Sequence, residues 1–427
     1  MEPTRAATGR VQALARAALA LEDAGPSGGR PASVRAPGAP PVDPADFFAA
    51  AARHRVTELL HTHGEALDLR VEFGPGLLDA LAAVHAEDRR RVAVQLLEIG
   101  RLLDLFARAE VPVLVLKGPA LAVQSAGNVT ARGYGDIDLF VAPESVEAVH
   151  LLLAEQGWQP RRFGSAAPGS WAWRHLISTF NEVAFDGPAS TVDLHWRLDP
   201  SPDLLPDFAA SWDRRVVVET GVVDVPTLDA ATAFLHTCQH AAKDDWRWLR
   251  SLVDAHRLTR LPEVQEALTA PGARRTPDHV WATLAVTDHL LGLPADLPVR
   301  VRTQVVAHRM QVRRAVRMQD RAARPDRPLP MSQSIRDLRY RLVASRTPRA
   351  FLGAVSATAM PAPSIEGITD RSAWTAVPKL VVRRIAWLVS RSVRWLAGVR
   401  VPSRADAGQG HPADATAALP GRPQVRS

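Results

Sequence analysis

Two short apolar runs limit what this chain can fold into. One run, Val-Pro-Val-Leu-Val-Leu, ends at Lys117-Gly118, and the other, Ile-Asp-Leu-Phe-Val-Ala, follows Asp136 and is closed by Pro143. The segments on either side repeat apolar residues every three or four positions, which is typical of helices. Continuous runs of this length predict buried strands. The sequence therefore predicts an α/β (α+β) protein with a small mixed sheet between helical regions.

The remaining patterns divide the chain further. Asp186-Gly187-Pro188-Ala189 separates two strand candidates, 175–185 and 190–198, and predicts a hairpin. A helix is predicted from Glu144 to its C-terminal cap at Gly157. The predicted units are a flexible N-terminal segment (1–43), a helical N-terminal region (44–110), an α/β core (111–225), a helical C-terminal domain (226–320), a linker with a basic amphipathic helix (321–401) and a disordered tail (402–427).

Composition narrows the class of protein. The chain has 427 residues, of which 46% are hydrophobic, as in a soluble globular protein with a substantial core. The net charge of +7 comes almost wholly from arginine, because only three residues are lysines, and it is weak evidence for a nucleic-acid partner. The single cysteine, Cys238, excludes an internal disulfide. We expect a cytoplasmic protein, since neither a signal peptide nor a membrane-spanning stretch is evident.

The residues that point to chemistry are Asp136 and Asp138. Positions i and i+2 of a strand project to the same face, so both carboxylates point one way while Ile137 points into the core. Two carboxylates this close repel each other unless a cation lies between them. Hard oxygen ligands suit Mg²⁺, which usually takes one or two carboxylates and completes its shell with water and phosphate oxygens.

The surroundings of this pair resemble the nucleotidyltransferase superfamily that includes DNA polymerase beta, the aminoglycoside nucleotidyltransferases and the minimal nucleotidyltransferases. The closest likeness is to the bacterial branch of uncharacterised nucleotidyltransferase family proteins. That branch has a strand ending in LKG, an Arg before DIDLLV, a helix ending in Gly-aromatic, and a later VDLHW strand. The matching segments here are VLVLKGPAL (113–121), Arg132, GDIDLFV (135–141), Gly157-Trp158 and VDLHWRL (192–198). The resemblance spans roughly residues 80–260.

The resemblance implies a fold of the polymerase beta nucleotidyltransferase type and a two-metal transfer of a nucleoside monophosphate. It implies that Asp136, Asp138 and Asp193 are catalytic residues that hold two Mg²⁺ ions, with Mn²⁺ as a substitute. Lys117, Gly118 and Arg132 would bind the nucleotide. The implied partners are an NTP and an unidentified acceptor, which could be a small molecule, a peptide or a protein; nucleic acid is not expected.

The sequence departs from the superfamily at the phosphate loop, where the usual Gly-Ser is Lys117-Gly118-Pro119-Ala120. Glycine still lets phosphate approach the backbone N–H groups at a helix start. Other interpretations of the residues remain open: a solvated strand start for the Asp136 pair, an Arg197 partner for Asp193, and a partner of Asp136 for Arg132. A catalytically weak or inactive accessory protein that keeps the fold is the alternative function.

Other motifs favour structural roles. His236 and His240 lie one helical turn apart, which is compatible with zinc, but packing or lining of the acceptor pocket is favoured. Trp246, Trp248 and Leu249 are predicted to be core residues. His195 is assigned to the face of its strand opposite Asp193 and is left out of the chemistry. The basic helix at 379–400 suits an anionic membrane surface or an RNA backbone, or a docked terminal helix whose arginines stay in water.

Overall fold

The structure is a computed structural model that describes residues 5–25, 41–133, 135–161, 166–188, 190–201, 204–270, 277–322 and 347–359, with residues 372, 373, 375–382 and 386. A small sheet lies between two sets of helices. The N-terminal helices are α1 (Arg5–Ala24), α2 (Pro44–His54), α3 (Thr57–His63), α4 (Leu69–Phe73) and α5 (Pro75–Arg108). The C-terminal helices are α10 (Ala230–Lys243), α11 (Leu249–Leu258), α12 (Pro262–Thr269), α13 (Asp278–Leu291), α14 (Val299–Ala307), α15 (Val312–Ala322) and α16 (Pro348–Ala359).

The central segment carries the sheet. Its strands are β1 (Leu114–Val115), β2 (Asp136–Phe140), β3 (Gln159–Pro160), β4 (Glu182–Asp186) and β5 (Thr191–His195), in the order β1-β2-β5-β4-β3. Between them lie α6 (Gly118–Ala126), α7 (Val146–Glu155) and α8 (Trp171–Thr179), and α9 (Phe208–Asp213) follows β5. Strands β2 and β5 are parallel, and the other pairs are antiparallel. The mixed α/β class and small mixed sheet that the sequence predicts are confirmed.

The two faces of the sheet differ in chemistry because side chains alternate along each strand. Ile137 and Leu139 of β2 and Val192 and Leu194 of β5 point to one face, where they join the core formed with α5, α7 and α8. The opposite face therefore receives Asp136, Asp138 and Asp193. Burial of the apolar face fixes the register, since a slip of one residue would send these carboxylates into the core.

Two local predictions need correction. The predicted strand at 175–185 is α8 followed by β4, because Ser170 caps the helix by accepting the N–H of Trp173. The sequence also missed the hairpin of β6 (Val216–Glu219) and β7 (Asp224–Thr227), which crosses the predicted domain limit at 225/226. Proline in β7 argues against a strand in the middle of a sheet, but this hairpin is a separate two-stranded sheet in which each strand is an edge.

The N-terminal segment expected to be flexible contains a packed helix. In α1 the residues Val11, Leu14 and Leu19 are fully buried. They lie in one apolar cluster that combines α1–α5 with residues of α10, α11, α13 and α15. The two helical regions that sequence patterns separate into different units therefore share a core, and the sheet is inserted between them in the chain.

The C-terminal predictions are only partly covered. Helix α16 lies within the stretch predicted as linker, and residues 375–382 are helical. Ala376, Val377, Leu380 and Val381 pack against the core below the sheet. Most of the predicted amphipathic helix at 379–400, and the whole tail from 402, lie outside the described residues. Of the described helices, none combines the length and apolar character needed to cross a membrane.

Glu22 at the end of α1 binds this helix to α11. Its carboxylate lies 2.6 Å from Arg257 and 3.2 Å from His63. Burial opposes ionisation of Glu22, but the hydrogen bonds from His63 and Arg257 outweigh it and lower the pKa to about 2. Arg257 also donates to the carbonyl of Ala131, so the same ion pair supports the loop that leads into β2.

We expect Glu22→Gln to lower the free energy of unfolding at pH 7 by about 2 to 3 kcal/mol. The folded pKa lies below the ordinary value of 4.5, so this stabilisation is present above pH 4.5 and is lost as the pH falls towards 2. Urea unfolding of both proteins at pH 7 and pH 3 measures the difference, which should shrink at pH 3. Glu87→Gln, which removes an exposed carboxylate paired with Arg90, is the matched control and should have almost no effect. A difference that is equal at both pH values would contradict the prediction.

Candidate functional site

Three predicted catalytic carboxylates lie on the face of the sheet opposite the apolar core of α5, α7 and α8. The parallel register of β2 and β5 pairs Asp136 with Thr191 and Asp138 with Asp193. Neighbouring strands lie about 4.8 Å apart, so Asp138 and Asp193 stand side by side on one face. Asp136, two residues before Asp138 on β2, is exposed, whereas Asp138 is buried. The structure thus brings the three carboxylates together at one end of the β2–β5 pair.

Lys117 lies against the most buried of these carboxylates. The N–H of Leu116 donates to the carbonyl of Asp138, which continues the β1–β2 ladder and places Lys117 above β2. The Lys117 Nζ is 3.1 Å from the Asp138 Oδ1. Burial alone would lower the pKa of Lys117, but Asp138 outweighs it and raises that pKa. In turn Lys117, with His195, holds the pKa of the buried Asp138 well below its ordinary value.

Gly118 begins α6 directly after Lys117, with Pro119 in the first turn. Its φ of +56° lies in the left-handed region, where a side chain is disfavoured. This turn directs the start of α6 towards the carboxylate face. The Lys-Gly pair at a strand end therefore has the strand-to-helix geometry that the sequence predicts.

The surroundings of Asp193 disfavour the ionised form of its carboxyl group. Burial, followed by the negative charge of Asp138 and then that of Asp136, raises the pKa of Asp193 to about 6, although His195 opposes the shift. Its ionised form is therefore held at a cost in free energy that a nearby cation would remove. This raised pKa follows from the burial of Asp193 and its closeness to Asp138 and Asp136.

A fourth carboxylate, Glu182, lies beside the three. Strand β4 pairs Glu182 with His195, and the Glu182 Oε2 is 3.2 Å from the His195 Nδ1. The other ring nitrogen of His195, Nε2, forms a hydrogen bond of 3.0 Å with the Asp138 Oδ1, so the imidazole lies between two carboxylates but is hydrogen-bonded only to Asp138. Lys243 Nζ lies 3.7 Å from the Glu182 Oε1. Although burial opposes it, Lys243, then His195 and Lys117, lower the pKa of Glu182 to about 2.

The assignment of His195 to the far side of its strand is therefore wrong. Residues 193 and 195 are two apart on β5, and the two-residue period places both on the same face. Glu182 was missed although it lies within the stretch predicted as one strand, 175–185. The rarity of lysine in this chain could have pointed to Lys243 as well as to Lys117. Two of the three lysines of the chain lie at this site.

Arg132 is not in contact with Asp136. Its guanidinium binds Asp254 of α11, with 2.9 Å between Nη2 and Oδ2, and both side chains are buried. Arg250 of the same helix donates from Nη1 to the carbonyl of Gly133 at 2.5 Å. The loop before β2 thus contacts α11 through an ion pair and a backbone hydrogen bond. Arg132 is the loop residue that forms the ion pair.

The carboxylate oxygens of this site suit a hard cation that is also bound by ligands from the substrate. In the described part of the chain, no group of three or more carboxylate, imidazole or thiolate side chains is arranged to hold a metal ion. Mg²⁺ does not require three, because it is commonly bound by one or two carboxylates together with substrate phosphates. One or two of Asp136, Asp138 and Asp193 would hold it with those phosphates, and the Lys117 ammonium now on Asp138 would have to move aside.

The helix α10 forms the wall next to Glu182. His236 is buried there and His240 is half-buried. Burial and then Lys117 lower the pKa of His236 well below its ordinary value, and for His240 Lys117 is the larger cause of the same shift. Trp246 is a core residue, as predicted, and its indole donates to Thr283 at 2.8 Å. Trp248 differs from the prediction, because the guanidinium carbons of Arg55 and Arg247 lie 5.4 and 4.9 Å from its ring centroid.

Comparison with known families agrees with this geometry. The family model described as uncharacterised nucleotidyltransferase matches residues 40–291, which is more than half of the chain. The chain belongs to this nucleotidyltransferase family. No curated protein and no solved structure matches it. The matched range begins before α2 and ends with α13, so the family unit includes both helical regions as well as the sheet.

Proposed function

We propose that this nucleotidyltransferase moves a nucleoside monophosphate from an NTP to a hydroxyl or similar acceptor, with release of pyrophosphate, and that the transfer depends on Mg²⁺. The observation that carries the proposal is the alignment of Asp136, Asp138 and Asp193 on one sheet face, with the pKa of Asp193 raised by its neighbours. Such a cluster is costly in the free protein and fits a site that binds a cation with its substrate.

The roles of the residues follow from their contacts. Bound Mg²⁺ would supply charge neutralisation at the phosphorus and at the attacking and leaving oxygens. Asp138 is positioned by the His195 imidazole, which is itself positioned by Glu182. Lys117, released from Asp138, would bind a phosphate oxygen of the nucleotide. Asp193, with a pKa of about 6, is suited to accept the proton of the attacking hydroxyl when it is not holding the metal.

Calorimetric titration of the full-length protein with each NTP, with and without Mg²⁺, tests the proposal. We expect binding that depends on Mg²⁺ in the wild type and is lost in the double variant Asp136→Asn/Asp138→Asn. Asp186→Asn, on strand β4 but paired with Arg161 at the surface, is the matched control and should bind like the wild type. If no NTP binds the wild type under either condition, the enzymatic proposal is wrong.

The second candidate is an accessory protein that keeps the fold and binds a nucleotide without turnover. Two observations favour it: the loop has Lys-Gly-Pro-Ala in place of Gly-Ser, and the Lys117 ammonium already neutralises Asp138. A wild-type protein that binds NTP equally with and without Mg²⁺, and releases no pyrophosphate, would support this candidate instead.

A further inference from the structure

Within the described residues, two arginines near the start of α11 form no ion pair. Arg250 lies in the first turn of α11, and Arg55 follows the last residue of α2. Among the residues that the structure describes, neither guanidinium has a carboxylate within ion-pairing distance. Arg55 comes from the N-terminal helical region and Arg250 from the C-terminal one, so the shared core of these regions sets their relative position.

Arg250 lies beside the entry to β2. Its Nη1 donates to the carbonyl of Gly133, three residues before Asp136. Its Nε is buried and has no hydrogen-bond partner within the described part of the chain. The nearest acidic residue of the same helix, Asp254, is already bound by Arg132. The half-buried Arg250 side chain is thus left with an unused Nε donor close to the start of β2.

Arg55 approaches the same end of α11. Its guanidinium carbon lies 5.4 Å from the ring centroid of Trp248, the residue before the first turn of α11. The backbone of Arg55 is left-handed, with a φ of 57°, and this turn directs the chain away from α2. The Trp248 face holds the exposed Arg55 guanidinium by a cation–π contact. Two unpaired guanidiniums therefore lie at one end of one helix.

The charges of these side chains disfavour each other in the free protein. Burial, followed by the positive charges of Arg132 and Arg55, lowers the pKa of Arg250 to about 9, and Asp254 and Asp136 only partly oppose this. Like charges that are gathered and partly buried are unfavourable until an opposite charge joins them. The missing group is an anion, and its place is beside Asp136.

The hydrogen-bond donors of these two arginines indicate which kind of anion would bind. Guanidinium groups present paired N–H donors that match the oxygens of phosphate. Two such groups at the same end of α11 suit a ligand with several phosphates. The loop at Lys117 lacks the serine hydroxyl typical of the superfamily, so Lys117 would be the only side-chain phosphate donor of that loop. We propose that Arg55 and Arg250 bind the polyphosphate chain of the NTP, an inference that rests on the proposed function.

Inorganic tripolyphosphate is the probe, because it carries the phosphates without base or sugar. We expect it to bind the full-length wild type in Mg²⁺-free buffer with EDTA, as measured by calorimetry. Arg55→Gln and Arg250→Gln should each weaken binding by about tenfold to a hundredfold, since each removes charge-assisted hydrogen bonds. Arg101→Gln, which removes an exposed arginine paired with Glu98, is the matched control and should bind like the wild type.

The outcomes separate this inference from the proposed function. Asp138→Asn should keep its tripolyphosphate binding in EDTA, although it loses Mg²⁺-dependent NTP binding. Loss of binding in both arginine variants would support the polyphosphate site even if no nucleotidyl transfer were found. Failure of the wild type to bind tripolyphosphate, or unchanged binding in Arg55→Gln, which alters an exposed side chain and should fold normally, would overturn it.

Discussion

Asp193→Asn is expected to remove nearly all nucleotidyl transfer and, at the same time, to stabilise the metal-free protein. If Asp193 holds the metal as proposed, its loss would remove about 4 kcal/mol of transition-state stabilisation, or about a thousandfold in rate. The raised pKa of Asp193 means that its ionised form is unfavourable at pH 7. Asparagine keeps the shape and removes the charge, which should add about 1 to 2 kcal/mol to the free energy of unfolding.

Asp138→Asn supplies the matched contrast. It should lose activity to a similar degree but lower the stability, because the substitution leaves the Lys117 ammonium without the carboxylate it binds at 3.1 Å. Pyrophosphate release from NTP measures activity, and urea unfolding in EDTA at pH 7 measures stability. An Asp193→Asn protein that retains full activity, or is less stable than Asp138→Asn, would contradict this account of the site.

The second large effect is expected in α1, far from the chemistry. Leu14→Ala should lower the free energy of unfolding by about 2 to 5 kcal/mol, because the side chain is fully buried and its removal leaves a cavity. Urea unfolding followed by circular dichroism measures the change. Leu97→Ala on α5 is the control, since that leucine is 67% exposed and should have little effect. Equal values for the two variants would mean that α1 is not part of the core.

Sequence patterns predicted the parts of the fold that depend on local periodicity. The strand at 137–142, the hairpin over 186–189 and the position of Lys117 at a strand end followed from apolar runs and turn residues, and the structure confirms them. The helix at 171–179 was missed because its apolar and aromatic residues suit a strand equally well. Its capping residue, Ser170, was the local signal that distinguishes the two.

Only the site residues that lie on strands could be predicted from the sequence. Asp136, Asp138 and Asp193 follow from the two-residue period and the resemblance, and the same period should have included His195. Arg55 and Arg250 could not be predicted as a pair, because their proximity depends on a core formed between residues far apart in the chain. Sequence patterns record which face a residue occupies, but not which distant helix will lie opposite.

The shared core of the helical regions has a consequence for synthesis on the ribosome. Helix α1 is complete within the first 25 residues, yet α13, one of the helices it packs against, begins at residue 278. At a synthesis rate of about 5 to 20 residues per second, the apolar face of α1 lacks this partner for a time on the order of tens of seconds. The sheet, whose strands all lie between them, is made during that interval. We therefore expect the nascent chain to need protection at its N-terminus until α13 has emerged, and a polypeptide truncated before residue 278 to aggregate.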